Sequence, residues 1–259
     1  MSSLSLAGRT VLITGASAGL GAHFARVCST AGARLVLAAR RVEKVEALAA
    51  ELSVSGPEAI GVALDVTDEA SIIAAYDAAE ARLGLVDTVI ANAGTVAPGR
   101  STEVSAEGVR SVVDTNFTGV YLTAREGAKR MMAADMRGDG PENGRGRIVM
   151  IGSITATMTA QGDAAYAAGK AAVAHLGRTF AREWVRQGIN VNVIQPGYIR
   201  SELAGDWFDS EGGKAQVAGF HRRRLQPLES LDAPLLYLCS DASGSTTGAV
   251  LTVDDGQSL

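Results

Sequence analysis

The sequence predicts an α/β chain built on one doubly wound parallel sheet of about seven strands, and three observations carry that prediction. Short runs rich in Val, Ile and Leu recur between longer Ala-rich stretches flecked with charge. The runs are apolar almost without interruption, as strands are when helices cover both faces of the sheet, rather than alternating in and out of water. The stretches between them are long enough to hold the crossover helix that parallel strands need.

The runs, in order, are Thr10–Thr14, Arg34–Ala39, Ala59–Leu64, Asp87–Ala91, Arg147–Ile151, Ile189–Gln195 and Ala249–Val253. Amphipathic segments follow the first two, at Ala22–Ala31 and Val42–Leu52. No linker or shift in composition divides the alternation, so residues 1–259 are expected to form a single domain. The Gly, Pro and charge cluster Arg137–Arg147 reads as a surface loop before the fifth strand. With 47% hydrophobic and 20% charged residues the 259-residue chain can bury a sizeable core, which excludes a disordered or fibrous protein. Twenty-four Lys and Arg against 28 Asp and Glu give a net charge of −4, so no positive field invites nucleic acid or an anionic membrane. The longest stretch without Asp, Glu, Lys or Arg, Thr10–Ala25, is too short and too glycine-rich to span a bilayer. Cys28 and Cys239 stand far apart in apolar stretches with no ligand spacing, and read as buried free thiols of a protein in a reducing compartment, the cytoplasm. His23, His175 and His221 have no metal-ligand spacing.

The first strand runs straight into Thr14-Gly15-Ala16-Ser17-Ala18-Gly19-Leu20-Gly21 and then a helix-prone segment. Glycines let the backbone turn sharply and approach a pyrophosphate, while free N–H groups and the positive end of the helix dipole attract it. A tight strand-to-helix turn needs glycine even when nothing binds. Its place after the first strand of an α/β chain is what favours a dinucleotide.

Here the sequence resembles the short-chain dehydrogenase/reductase family, whose glycine pattern is TGxxxGxG, and the resemblance extends over essentially the whole chain. Asp65-Val66 follows the third strand, Asn92-Ala93-Gly94 the fourth, Asn116 stands in the next helix, Ser153 follows the fifth strand, then come Tyr166-Ala-Ala-Gly-Lys170 and Pro196-Gly197. Each falls at the carboxyl end of a strand or on the adjoining helix, where an open α/β sheet of Rossmann type binds its ligands. The resemblance implies cofactor contacts from Gly15, Ser17, Gly19, Leu20, Gly21, Arg40, Arg41, Asp65, Val66, Asn92, Ala93, Gly94, Tyr166, Lys170, Pro196, Gly197, Ile199 and Ser201. It further implies catalytic roles for Asn116, Ser153, Tyr166 and Lys170, with Lys170 gripping the nicotinamide ribose and Asn116 anchoring a water in the proton relay.

The residues support the same chemistry. Tyr166 and Lys170 are four apart and share one helical face. A phenol is a poor acid–base group at neutral pH, but a nearby ammonium and an oxidised nicotinamide favour its phenolate. Ser153 can hydrogen-bond the substrate oxygen and orient it for hydride transfer. Taken one at a time, each has a plainer reading: a surface Tyr–Lys pair, a strand-end hydroxyl, a polar residue satisfying nearby backbone.

At the end of the second strand, where dinucleotide folds that take NAD carry an acid, the chain reads Ala38-Ala39-Arg40-Arg41. Two guanidiniums and no carboxylate suit the 2′-phosphate of NADP(H), with Ser17 adding a hydroxyl; NAD(H) is the alternative cofactor. The plainer reading has Arg40 and Arg41 begin the charged face of the next helix. The sequence departs from the family pattern at Ala91 (Asn is usual), Gly169 (Ser is common), Ser201 (Thr is common) and Asp255, which interrupts the usual VDGG.

After Pro196-Gly197, residues 198–228 correspond to the family's variable substrate lid. Leu203, Trp207, Phe208 and Phe220 either line an apolar pocket or anchor the lid, and Arg222-Arg223-Arg224 reads as a solvated loop face. The expected protein is thus an oxidoreductase interconverting a ketone or aldehyde and an alcohol with NADP(H), a small molecule its substrate. The helices carrying Asn116 and Tyr166 resemble those that pair between subunits, which implies a homotetramer or homodimer. The competing readings are an NAD-dependent alcohol dehydrogenase of the same family and a catalytically idle nucleotide-binding scaffold on this fold.

Overall fold

The computed structural model describes residues 4–136, 145–159 and 161–259; the greater part of the expected Arg137–Arg147 loop therefore lies outside the described residues. In chain order the elements are β1 (Thr10–Thr14), α1 (Gly19–Thr30), β2 (Arg34–Ala39), α2 (Val42–Ser53), β3 (Ala59–Ala63), α3 (Glu69–Leu83) and β4 (Thr88–Ala91). There follow α4 (Ala106–Val113), a π turn (Asp114–Thr118), α5 (Gly119–Ala133), β5 (Gly146–Ile151), α6 (Ala164–Trp184), β6 (Ile189–Pro196), α7 (Glu211–Gly219), α8 (Asp232–Cys239) and β7 (Val250–Val253). The strands form one parallel sheet in the order β3-β2-β1-β4-β5-β6-β7.

Two expected boundaries shift for physical reasons. The first helix starts at Gly19 rather than Ala22, because the glycine turn itself supplies its first residues. Asp87 is not part of β4: its buried carboxylate pairs with Arg9 at 3.4 Å and accepts hydrogen bonds from Thr10 N (3.3 Å) and Thr88 Oγ1 (2.7 Å). Burial pushes its pKa up, and the hydrogen bonds and Arg9 oppose that.

Alternate strand residues feed two apolar layers, the period of two that the pleat imposes. Leu12, Val36, Val89, Ile148, Met150 and Val193 face a layer closed by α3, α5 and α6. Val11, Ile13, Leu35, Leu37, Val149 and Ile194 face the opposite layer with α1, α2 and α8, among them Cys28 and Cys239. Both thiols are buried and free, and burial drives both up, Cys239 to about 12.

Two glycines of α6 do different work. At Gly177 a Cβ would lie 2.5 Å from Val193 Cγ2, so its absence lets the helix lie close on the sheet. At Gly169 a Cβ would meet Asn116 Cβ at 3.8 Å, an ordinary contact. Gly169→Ala is therefore expected to stabilise the protein by about 1 kcal/mol through helix propensity, and Gly177→Ala to cost about 1–3 kcal/mol by overpacking. Denaturant melts of the two variants check the opposite signs.

Candidate active site

The chain leaves adjacent strands β1 and β4 toward opposite ends of the sheet, β1 leading to β2 and β4 to β5. A crevice opens between them at the carboxyl ends, as expected where strand order reverses. Here it holds a cavity of about 910 Å³. Of the residues predicted for the site, all but Gly21 and Asn116 line that cavity; those two stand behind its wall.

Thr14 closes the floor. Its hydroxyl accepts hydrogen bonds from Asn92 N (3.0 Å) and Ala93 N (3.1 Å), and its carbonyl accepts one from Asn92 Nδ2 (2.9 Å). The glycine turn packs against this lock. Gly15 holds φ +68° and a Cβ there would stand 2.9 Å from Ala93 Cα, while a Cβ on Gly21 would collide with the Gly15 carbonyl and the Asn92 amide. Ala18 at the N-cap of α1 offers no side-chain acceptor, and the first turn carries no acidic residue. A pyrophosphate fits this cradle: close backbone, N–H groups without a side-chain cap, and the positive end of a 12-residue helix.

Arg40 and Arg41, where β2 ends, and Ser17 of the glycine turn all line the cavity. Arg41 turns back to the glycine turn, its Nε and Nη2 donating to Ser17 Oγ at 3.1 and 2.9 Å, and its Nη2 pairs with Glu202 of the segment after β6 at 3.2 Å. It does not belong to the outer face of α2. Asp65, past β3, is held below its usual value by the Thr67 N–H, with the Arg40 charge assisting.

At the other end Ser153, just past β5, accepts hydrogen bonds from Thr155 N (3.2 Å) and Thr155 Oγ1 (2.9 Å) and lies near enough to the Tyr166 phenol to pull its pKa down. Lys170, one turn along α6, donates to the Ile151 carbonyl at 2.7 Å and places its ammonium 5.5 Å from the centre of the Tyr166 ring. Burial pulls Lys170 down to about 8. Burial pushes Tyr166 up to about 12 against the pull of Ser153, and Asp163 and Tyr198 add to the rise. In the protein alone, burial is thus the largest influence on the phenol.

Asn116 occupies the π turn between α4 and α5, not a regular helix. Its Oδ1 accepts from Thr95 N at 2.8 Å and its Nδ2 donates to Thr95 O at 2.9 Å, so the side chain ties the loop after β4 to the π turn. Gly94 has room for that approach: a Cβ there would lie 3.6 Å from Asn116 Oδ1 and 3.9 Å from Lys170 Nζ.

The segment after Pro196 is fixed from below. Gly197 N donates to Gln226 Oε1 (2.9 Å) and Tyr198 N to Gln257 Oε1 (2.6 Å). The Tyr198 ring stacks on Phe220 at 5.6 Å and meets Phe208 edge-on at 6.1 Å. Phe208 and Phe220 are buried anchors, Phe208 also reaching the cavity, whereas Leu203 and Trp207 are exposed at its rim. Arg222, Arg223 and Arg224 form an exposed loop face, from which Arg222 and Arg224 also pair with Asp255 at 2.9 and 2.7 Å. Asp255, at φ +56°, sits in the left-handed region that favours glycine, and these ion pairs accompany the strain. His23 hydrogen-bonds Asp232 at 2.6 Å, joining α1 to α8.

Sequence reasoning passed over Asp163, Tyr198, Thr14, Thr95 and Glu202. Asp163 left a signal, since it precedes Tyr166 by three positions and so shares its helical face; for Glu202 no local signal exists, because its partner is Arg41 on the other side of the crevice.

Comparison with known proteins agrees with this geometry. The family model described as short chain dehydrogenase matches residues 9–212. The chain is similar to a D-threitol dehydrogenase of Mycolicibacterium smegmatis, 33% identical over 98% of this chain and 94% of that protein. It is 31% identical to the 3-oxoacyl-[acyl-carrier-protein] reductase of Escherichia coli over 96% of this chain and 97% of that one. Among solved structures, a gluconate 5-dehydrogenase from Burkholderia cenocepacia in complex with NADP and tartrate superposes with a TM-score of 0.91, at 30% identity and covering 98% and 97% of the two chains. A match of this breadth, on a crevice built as described, makes the chain a member of the short-chain dehydrogenase/reductase family, an oxidoreductase acting on CH–OH groups with NAD(P).

Proposed function

We propose that the protein interconverts an alcohol with its ketone or aldehyde using NADP(H), with Tyr166 as general acid and base. The convergence of Ser153, Tyr166 and Lys170 at one end of the crevice carries this reading. The glycine turn between β1 and α1 would hold a nicotinamide nucleotide, which when bound would supply the hydride acceptor or donor. Ser153 holds the substrate oxygen and Tyr166 takes its hydroxyl proton as the carbinol carbon gives up hydride; in reduction Tyr166 returns the proton to the carbonyl oxygen. Lys170 holds the ribose and biases the phenol together with the nicotinamide charge. Asn116 keeps the loop after β4 in place beside Lys170. An idle scaffold would not need an ammonium kept at a cost in an apolar place.

The 2′-phosphate is assigned to Arg40, Arg41 and Ser17. Their clustering where β2 ends, without a carboxylate on that strand end, supports NADP(H) over NAD(H). Residues 198–228 act as the substrate lid of a single catalytic domain. Val109 and Tyr121, exposed on α4 and α5 to either side of Asn116, support pairing of the helices carrying Asn116 and Tyr166 in a homodimer or homotetramer. The buried free thiols support residence in the cytoplasm, and no helix among the described residues is long and apolar enough to cross a membrane.

Tyr166→Phe removes only the proton-transferring hydroxyl. It is expected to lower kcat by about 100-fold or more while leaving the Kd for NADP(H) near wild type. A variant retaining more than about a tenth of kcat, with chemistry shown to limit the rate, refutes the assignment.

Lys170→Met is expected to weaken nucleotide binding and turnover together. It also has a signature in stability. Because Lys170 falls from 10.5 to about 8 on folding, its charged form opposes folding fully below about pH 8 and progressively less as pH rises toward 10.5. Raising the pH from about 7 to about 10 should therefore stabilise wild type by about 2 kcal/mol relative to Lys170→Met. Denaturant titrations of both proteins at the two pH values measure it.

The double variant Ala39→Asp, Arg40→Ser supplies a ribose acceptor and repels the 2′-phosphate. Losing a charge-assisted contact of about 1.5–3 kcal/mol should shift the NADP/NAD ratio of kcat/KM by about 10- to 150-fold. An unchanged ratio, or a wild type that already prefers NAD, overturns the cofactor assignment.

A further inference from the structure

Glu202 belongs to the segment after β6, yet its carboxylate reaches the residue that follows β2 on the far side of the crevice, where its Oε2 accepts a hydrogen bond from Arg41 Nη2 at 3.2 Å. It opens a short 3-10 turn, Glu202–Ala204, behind Ser201. Ser201 in turn lies against the glycine turn: a Cβ on Gly19, the first residue of α1, would stand 3.9 Å from Ser201 Cβ. The pair thus joins the lid to the residues that frame the nucleotide cradle, and the chemistry above makes no use of it.

The shape of the guanidinium fixes which of its edges Glu202 takes. Arg41 Nε and Nη2 both donate to Ser17 Oγ, at 3.1 and 2.9 Å, so a single oxygen closes the Nε side of the fork. Nη2 carries two hydrogens in the plane of the group, and with one turned to Ser17 the other points to the Nη1 side. Glu202 accepts that second hydrogen. The edge between Nη2 and Nη1 is also the one left for a two-pronged grip on a phosphate. A 2′-phosphate can take it only by displacing Glu202. The side chains of Arg41 and Glu202 are 45% and 61% exposed, so the pair is screened, weak and open to exchange. A phosphate brings more charge and oxygens that match the fork. A nucleotide without the 2′-phosphate makes no claim on that edge and leaves the pair in place.

We infer that Glu202 is a specificity-determining residue of the nucleotide site: it holds the edge of Arg41 that the 2′-phosphate of NADP(H) needs, and so lowers the affinity for NADP(H) while leaving that for NAD(H) unchanged. The inference rests on the assignment of the 2′-phosphate to Arg41. Glu202 acts through Arg41 and touches no reacting atom, which makes it a positioning residue.

The test measures Kd for NADPH and NADH by calorimetry, without substrate, on wild type, Glu202→Gln, Arg41→Gln and the double variant. Glu202→Gln should tighten NADPH by about twofold to fivefold, the worth of an exposed ion pair, and leave NADH within experimental error. Arg41→Gln should weaken NADPH by about tenfold or more and change NADH little. With Arg41 absent there is no edge to release, so adding Glu202→Gln to Arg41→Gln should give no further gain. The pair is exposed and Arg41 makes no side-chain cap on α2, so all the variants should melt within a few degrees of wild type. In variants that melt normally, a gain for NADPH below about 1.5-fold overturns the inference. An equal gain for both nucleotides does so too, since a strap that merely covers the cleft hinders them alike. So does a gain as large in the double variant as in Glu202→Gln, which is repulsion between Glu202 and the phosphate without Arg41 as the intermediary. An Arg41→Gln variant with an unchanged ratio of the two Kd values overturns the assignment of the 2′-phosphate to Arg41 and the inference with it. Loss of NADPH in Arg41→Gln with no response to Glu202→Gln overturns the inference alone.

Discussion

The reversal of strand order between β1 and β4 is the constraint on which the rest of the molecule depends. Parallel strands must be joined by crossovers, and where two neighbours send their crossovers in opposite directions no loop covers the carboxyl ends between them. The gap would be a liability if the strand ends frayed. Thr14 and Asn92 prevent this, with three hydrogen bonds joining the ends of β1 and β4. Because Asn92 is pinned there, the glycine turn has to pass close above it, and Gly15 and Gly21 are the residues that allow the passage. A side chain at either position would strike Ala93 or the Asn92 amide before it could affect any ligand.

The reacting end of the crevice is under a different tension. Burial moves Tyr166 up, Lys170 down and Asp163 up, each toward its uncharged form. Such a place is costly to fold and useful for chemistry, since charges that develop there are not screened by water. Lys170 is compensated by the Ile151 carbonyl at the carboxyl end of β5. Asn116 makes a comparable use of loose backbone. The π turn sets it against Thr95, and both ends of its amide are consumed in holding the loop after β4.

The segment over the crevice is tied mainly at its base. Tyr198 is clasped between Phe208 and Phe220, and Gln226 and Gln257 hold the backbone at Gly197 and Tyr198. Asp255 adds two ion pairs to Arg222 and Arg224, joining the turn after β7 to the end of this segment. Exposed ion pairs stabilise little individually, so the aromatic clasp is the main anchor. Further out, the Arg41–Glu202 pair reaches across the crevice from the β2 end. Leu203 and Trp207 are left at the rim, free of that packing.

The periodicity of the sequence was enough for the sheet and for most of the crevice. The apolar runs mark the strands to within a residue or so, because a strand buried on both faces leaves no choice about composition, and the glycine turn, Ser153, Tyr166 and Lys170 carry local spacings that only a strand end or one helical face satisfies. What depended on distant partners was not legible. Asp87 looks like part of a strand until Arg9 claims it, and nothing local to Arg41, read as a phosphate contact with Ser17, marks Glu202 as its partner across the crevice. The Tyr166 environment was read from its neighbour four residues away, whereas burial, with Asp163 and Tyr198 adding to it, is what pushes its pKa up. Local pattern records which side chains share a face; desolvation and ion pairing are sums over everything the fold brings near, and they exist only once the chain has closed around the group.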